Sequence, residues 1–128
     1  MTRRSGPGPR GGTVLSSGRL PPAGAAAKIG ATMKGYVIFY VEQILDPAQL
    51  KAYQQAAHPT LVPHGGRVII GYGRQEPIEG EPVVGVVTVE FPSYESARAW
   101  YHSGGYQSAK ALRADAARCR AVIVEGRA

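Results

Sequence analysis

Runs of β-branched and aromatic residues alternate along the chain with stretches whose apolar residues return every three or four positions. Gly35–Gln43 carries Tyr-Val-Ile-Phe-Tyr-Val and predicts a strand buried on both faces. Asp46-Pro47-Ala48-Gln49 predicts a helix start, with Asp46 as the N-cap, Pro47 at the first helical position and Gln49 completing a capping box. Leu50, Tyr53, Ala57 and Leu61 form its apolar stripe, and Gly65-Gly66 ends it. Arg67–Arg74 predicts a second strand and Pro82–Phe91 a third, joined by a polar, turn-rich connection. In the third strand Val87, Val89 and Phe91 share one face, while Val86, Thr88 and Glu90 share the other. Ser93 caps a second helix with Ala97, Trp100 and Tyr101 on its apolar side. Ser103-Gly104-Gly105 interrupts it before Tyr106, Ala109, Leu112 and Ala116 resume the stripe. Ala121–Glu125 predicts the last strand.

The order β-α-β-β-α-β predicts an α+β, ferredoxin-like domain: an antiparallel four-stranded sheet with two helices on one face. The strands are apolar on the other face too, and a large exposed apolar patch is not tolerated in a monomer. The simplest cover is the same face of a second copy, so the expected partner is a homodimer with sheets packed face to face.

The formal net charge of +6 invites a nucleic-acid reading until its location is examined. Residues 1–32 hold five basic residues and no acid, whereas residues 33–128 hold ten basic and nine acidic residues and are close to neutral. Residues 1–32 also carry seven Gly and four Pro, and so few large apolar residues that disorder is expected. Their Arg residues are scattered without interleaved aromatics, so no nucleic-acid partner is expected. The first strand-like pattern follows Met33 at once, and a native start at Met33 is the leading expectation. The folded domain is expected at 33–128. A length of 128 residues fits one domain, and the lone Cys119 excludes both an intramolecular disulfide framework and a Cys-based zinc site. No apolar run reaches the length of a membrane span. A cytoplasmic location, no membrane partner, no cofactor and no metal are the expectations.

The elements Lys34-Gly35-Tyr36, Asp46-Pro47, Gly65-Gly66, Glu79-Gly80, Val89-Glu90-Phe91-Pro92-Ser93 and Val124-Glu125-Gly126 form a recognisable string. Its most specific part is Ala99-Trp100-Tyr101-x-Ser103-x-x-Tyr106-Gln107, with Arg113 following. Over about residues 34–126 the string resembles the domain-of-unknown-function 1330 family of the dimeric α/β-barrel superfamily. The resemblance implies a ferredoxin-like protomer and a barrel formed between two protomers, but no particular reaction. The wider superfamily includes cofactor-free monooxygenases, isomerases, haem enzymes and stress-response proteins. Members of the family often carry Arg in strand two and Arg leading into strand three. Here Gly71-Tyr72-Gly73 and Val83-Val84-Gly85 stand in those places, which would make a site more aromatic and less charged.

Glu90 is the first candidate catalytic residue. Opposite Phe91 it would face the barrel interior, where desolvation would raise its pKa toward that of a general base. The competing reading is a structural partner of a nearby Arg or Tyr. His102, after Trp100-Tyr101, is the second candidate, placed to reach a pocket mouth. His58 and His64 read as surface residues at the end of the first helix, and no two histidines have metal-ligand spacing. Candidate ligand contacts are Tyr40, Tyr72, Tyr101 and Tyr106, whose rings would line an apolar pocket, together with Ser103 and Arg113. Ser103 also reads as a capping residue at the helix break. Arg113 pairs either with an acid such as Glu79 or Glu90 or with a ligand carboxylate. The sequence thus points to a homodimer that binds a small, mostly apolar or aromatic molecule, with cofactor-independent oxygenase or isomerase activity in view. The alternative is a non-catalytic small-molecule-binding or stress-response dimer module.

Overall fold

A computed structural model describes residues 33–128, and the disorder of residues 1–32 and the native start after them that the sequence leads one to expect concern residues outside that range. The elements run β1 (Gly35–Ile44), α1 (Pro47–Ala57), a 3-10 helix (His58–His64), β2 (Arg67–Gly71), β3 (Gly85–Phe91), α2 (Tyr94–Tyr101), α3 (Gly104–Arg113) and β4 (Ala117–Glu125). The strands pair antiparallel in the order β2-β3-β1-β4. This is the predicted ferredoxin-like arrangement.

Local chemistry sets the helix ends as expected. The Asp46 side chain accepts the Gln49 N–H, and Gly65 adopts the left-handed conformation (φ 71°) that closes the 3-10 helix. The second helix is divided in two. His102 ends α2, and Ser103 caps α3 by accepting the Tyr106 N–H while its hydroxyl donates to the Trp100 carbonyl.

Strand boundaries depart from the expectation where pairing overrides local propensity. β2 stops at Gly71 because Tyr72 turns into the left-handed region (φ 56°), its N–H donating to the Val86 carbonyl. β3 begins at Gly85, opposite Val41, three residues later than expected, although the Val84 N–H still donates to the Val41 carbonyl. β4 begins four residues early, at Ala117, because β1 is long enough to pair with that segment. Two bulges break the ladders, between Val41 and Gln43 and between Val68 and Ile70. The second lets both Val68 and Gly71 line the helix side of the sheet, although three positions separate them.

The core lies between the sheet and the helices. Val37, Phe39, Val89 and Phe91 from the sheet meet Ala57, Leu61, Ala97, Trp100, Tyr106 and Ala109 from the helical layer. Complete burial of a side chain such as Phe91 contributes about 1.5–3 kcal/mol. Trp100 is the centre of an aromatic cluster, with Tyr106 at 4.1 Å and Phe91 at 5.4 Å between ring centroids. Its indole N–H donates to Thr60 Oγ1 at 2.8 Å, and Thr60 in turn donates to the Ala57 carbonyl.

β1 was expected to be buried on both faces. In the single chain Val37, Phe39 and Val41 are buried, while Tyr36, Ile38 and Tyr40 on the other face are only half-buried. Among the described residues no helix covers that side. Ile38 stands beside Thr88 of β3 and Val122 of β4, and Val122 and Val124 are exposed.

Candidate functional site

A cavity of about 230 Å³ opens between the helical layer and the sheet. Phe39, Val87 and Val89 supply its floor, Leu50 and Leu61 part of its helical wall, and Trp100 its inner end. Val68, Tyr72 and His58 are exposed residues of its lining and form its rim. The position follows from the pattern of the chain, since the inward-facing residues of all four strands and the stripe of α1 converge there. The departure of β2 from the sheet at Gly71 leaves a gap that side chains do not fill.

The polar groups are few and grouped. Arg113, the last residue of α3, lines the cavity with its guanidinium 5.2 Å from the Tyr53 ring centroid and 5.3 Å from that of Phe39. The Tyr53 hydroxyl lies 2.8 Å from that of Tyr106. Tyr53 reaches the cavity, whereas Tyr106 is completely buried. Burial raises the pKa of both phenols, so both stay protonated at neutral pH. Cys119 lines the same wall beside Arg113, and burial pushes its thiol up, away from the reactive thiolate form.

Tyr72 joins the cavity in an unusual backbone conformation. Its ring packs on Gly85, where a methyl group would overlap it, and its hydroxyl is within reach of the Gln54 side chain. The Gly71-Tyr72-Gly73 and Val83-Val84-Gly85 segments therefore touch one another.

Of the expected site residues, Tyr72 and Arg113 line the cavity, and Tyr106 supports it from behind through Tyr53. The others lie elsewhere. Tyr40 is on the uncovered face, opposite Val86 and Arg120, with the Arg120 guanidinium 5.3 Å from its ring centroid. Tyr101 packs against Trp100 and Tyr106 outside the cavity, Ser103 serves as the α3 cap, and His102 is exposed at the end of α2. Glu90 is on the uncovered face, as its alternation with Phe91 predicts, and so on the opposite side of the sheet from the cavity. The expected rise in its pKa is corrected. Arg67 stands 3.0 Å from Oε1 and holds the carboxyl below its ordinary value, while the Tyr36 hydroxyl donates to Oε2 at 3.3 Å. The expected pairing of Arg113 with Glu79 or Glu90 is absent. The ion pairs among the described residues are Arg67–Glu90 and Arg120–Glu42.

Tyr53, Gln54 and His58 line the cavity and were not selected by sequence reasoning. Tyr53 read as one more apolar position of a helix stripe. The only signal for it was a hydroxyl on a ring that the stripe would bury, and such a hydroxyl needs a partner.

Comparison with solved structures places the fold. A protein of unknown function from Rhodopseudomonas palustris is 17% identical, with a TM-score of 0.62 over 75% of this chain and 84% of that one. A dimeric ferredoxin-like protein of unknown function from Thermobifida fusca is 17% identical, with a TM-score of 0.54 over 73% of this chain and 92% of that one. A cofactor-independent oxygenase from Streptomyces nogalater is 11% identical, with a TM-score of 0.53 over 77% and 96%. At these identities the likeness is one of fold. Comparison with curated proteins gives no match. A family model matches residues 34–127, essentially the whole described domain, and the chain belongs to that family, described as a domain of unknown function (DUF1330).

Proposed function

We propose that this protein binds a small, mostly apolar or aromatic molecule in the cavity between α1 and the sheet, and does so as a homodimer. The observation that carries the reading is the cavity itself. It is an apolar hollow with a few convergent polar groups, Tyr53, Gln54 and Arg113, at one wall. Its volume is below the roughly 300–1,000 Å³ of sites for drug-sized ligands, which points to a molecule of one or two rings. The homodimer is supported by the uncovered apolar face and by the dimeric Thermobifida protein of the same fold.

A second reading, cofactor-independent oxygenase or isomerase chemistry at this cavity, is favoured by one observation. A guanidinium and a phenol hydroxyl beside a mostly apolar hollow would stabilise a substrate oxyanion. The Streptomyces oxygenase of the same fold is consistent with it.

The binding reading is tested by thermal shift with naphthalene, indole and quinone compounds. Ligands should raise the melting temperature of the wild type but not of Val87→Phe, which fills the cavity from its floor. No shift in the wild type, or a shift retained in Val87→Phe, would overturn it. Oxygen uptake with the binding compounds separates catalysis from binding alone.

A further inference from the structure

We propose that the ligand of this cavity is a ring compound bearing a carboxylate, with Arg113 and Tyr53 as the seat of the acid group; the inference rests on the cavity reading above and names its substrate class.

Arg113 is where the observations converge. It is half-buried, and its guanidinium contacts the faces of two rings, Tyr53 and Phe39. The guanidinium also lies within hydrogen-bond reach of the Cys119 sulfur, a weak acceptor that leaves most of its five N–H donors without a strong partner. No acid among the described residues pairs with it. It also forms part of the wall of a second hollow of about 330 Å³, alongside Gln107, Lys110 and Cys119. Neither hollow has an Asp or Glu in its lining. Glu42, which acts electrostatically on nearby Cys119, is itself held by Arg120 at 2.6 Å. A cation in a wall without acids gives the cavity a positive potential, and a planar fork of donors matches a carboxylate.

Tyr53 completes the seat. Tyr106 is completely buried and is bonded to Tyr53. When Tyr106 donates to the Tyr53 oxygen, the Tyr53 proton is directed to the cavity as a third donor near the guanidinium. Apart from Gln54, His58 and Cys119 the rest of the lining is apolar or aromatic and suits a ring rather than a polar chain. Inorganic anions would gain the charge but none of the apolar contact.

The test compares 2-naphthoate with 2-naphthamide, its neutral isostere, by calorimetric titration of the full chain. The carboxylate should bind at least about tenfold more tightly, as expected for hydrogen bonds to a charged group. Arg113→Gln should weaken the carboxylate far more than the amide and so abolish that preference, whereas Arg113→Lys should retain part of it. Circular dichroism establishes that the variants fold. If Arg113→Gln does not fold, the wild-type comparison and Tyr53→Phe, which should narrow the preference, still decide. If the amide binds as well as the naphthoate, or Arg113→Gln weakens both equally, the acid seat is overturned and the cavity reading stands. If neither compound binds, the cavity reading fails and the acid seat with it.

Discussion

The ring of Tyr72 packs against Gly85 so closely that a single methyl group at Gly85 would displace it. Tyr72 holds this position with φ at 56°, a conformation that costs an ordinary side chain about 1–2 kcal/mol. The ring contact and the bond from the Tyr72 N–H to the Val86 carbonyl offset that cost. The pair also closes one side of the cavity and ends β2.

Gly85→Ala should therefore lower the melting temperature and loosen that wall, even though Ala is the better strand residue. In a Tyr72→Gly background the same substitution should be harmless, because the ring it displaces is gone. A double-mutant cycle by chemical denaturation should give a coupling of about 1 kcal/mol between the two positions. Additive effects would show that they act independently.

The hydroxyls of Tyr53 and Tyr106 are not equivalent, although they bond to each other. Tyr53→Phe strands a completely buried Tyr106 hydroxyl, at a cost of about 1–3 kcal/mol. Tyr106→Phe leaves Tyr53 with access to the cavity, so its cost should be nearer about 1 kcal/mol. Unfolding curves of the two variants should show the order Tyr53→Phe below Tyr106→Phe. The reverse order would mean that the cavity does not serve the Tyr53 hydroxyl.

Glu90 links stability to pH. Arg67 is the largest cause holding its folded pKa below the ordinary 4.5 of the unfolded carboxyl. The stabilisation is thus full above that ordinary value, fades as pH falls through the lowered folded value, and is absent below both. Glu90→Gln should be less stable than the wild type at neutral pH, with the gap closing across this acidic window. Salt should also narrow the gap, because the Arg67 side chain is 73% exposed. A gap constant with pH would remove the pair from the acid response.

The uncovered sheet face predicts a dimer. Val122 is 45% exposed in the single chain and stands opposite Ile38 at the middle of that face. Light scattering should give the mass of a dimer for the wild type and of a monomer for Val122→Asp, with circular dichroism unchanged. A monomeric wild type at micromolar concentration would refute the face-to-face pairing.

Much of the fold was legible because its determinants are local. The alternation of Val87, Val89 and Phe91 against Thr88 and Glu90 placed both faces of β3 correctly, since a period of two admits no other assignment. Asp46, Ser93, Ser103 and Gly65 marked helix ends through bonds to their own neighbours. The early start of β4 was not legible, because Ala117–Arg120 has little strand propensity and is extended only by its pairing with β1. The site was legible in part. Arg113, singled out by the family resemblance, and Tyr72, by its ring, both line the cavity, but Tyr53 looked like any other position of a stripe.

The sequence by itself determined the order of elements, the two faces of the sheet and the near-neutral charge of the domain, all of which depend on residues close together in the chain. Only the tertiary structure decided which polar groups meet. Tyr53 and Tyr106 are 53 positions apart, yet their hydroxyls are bonded. Arg113 is separated from every acid that might have paired with it, and Glu90 is drawn to Arg67 on the far side of the sheet. Such meetings depend on how the helical layer settles on the strands, which no local pattern encodes.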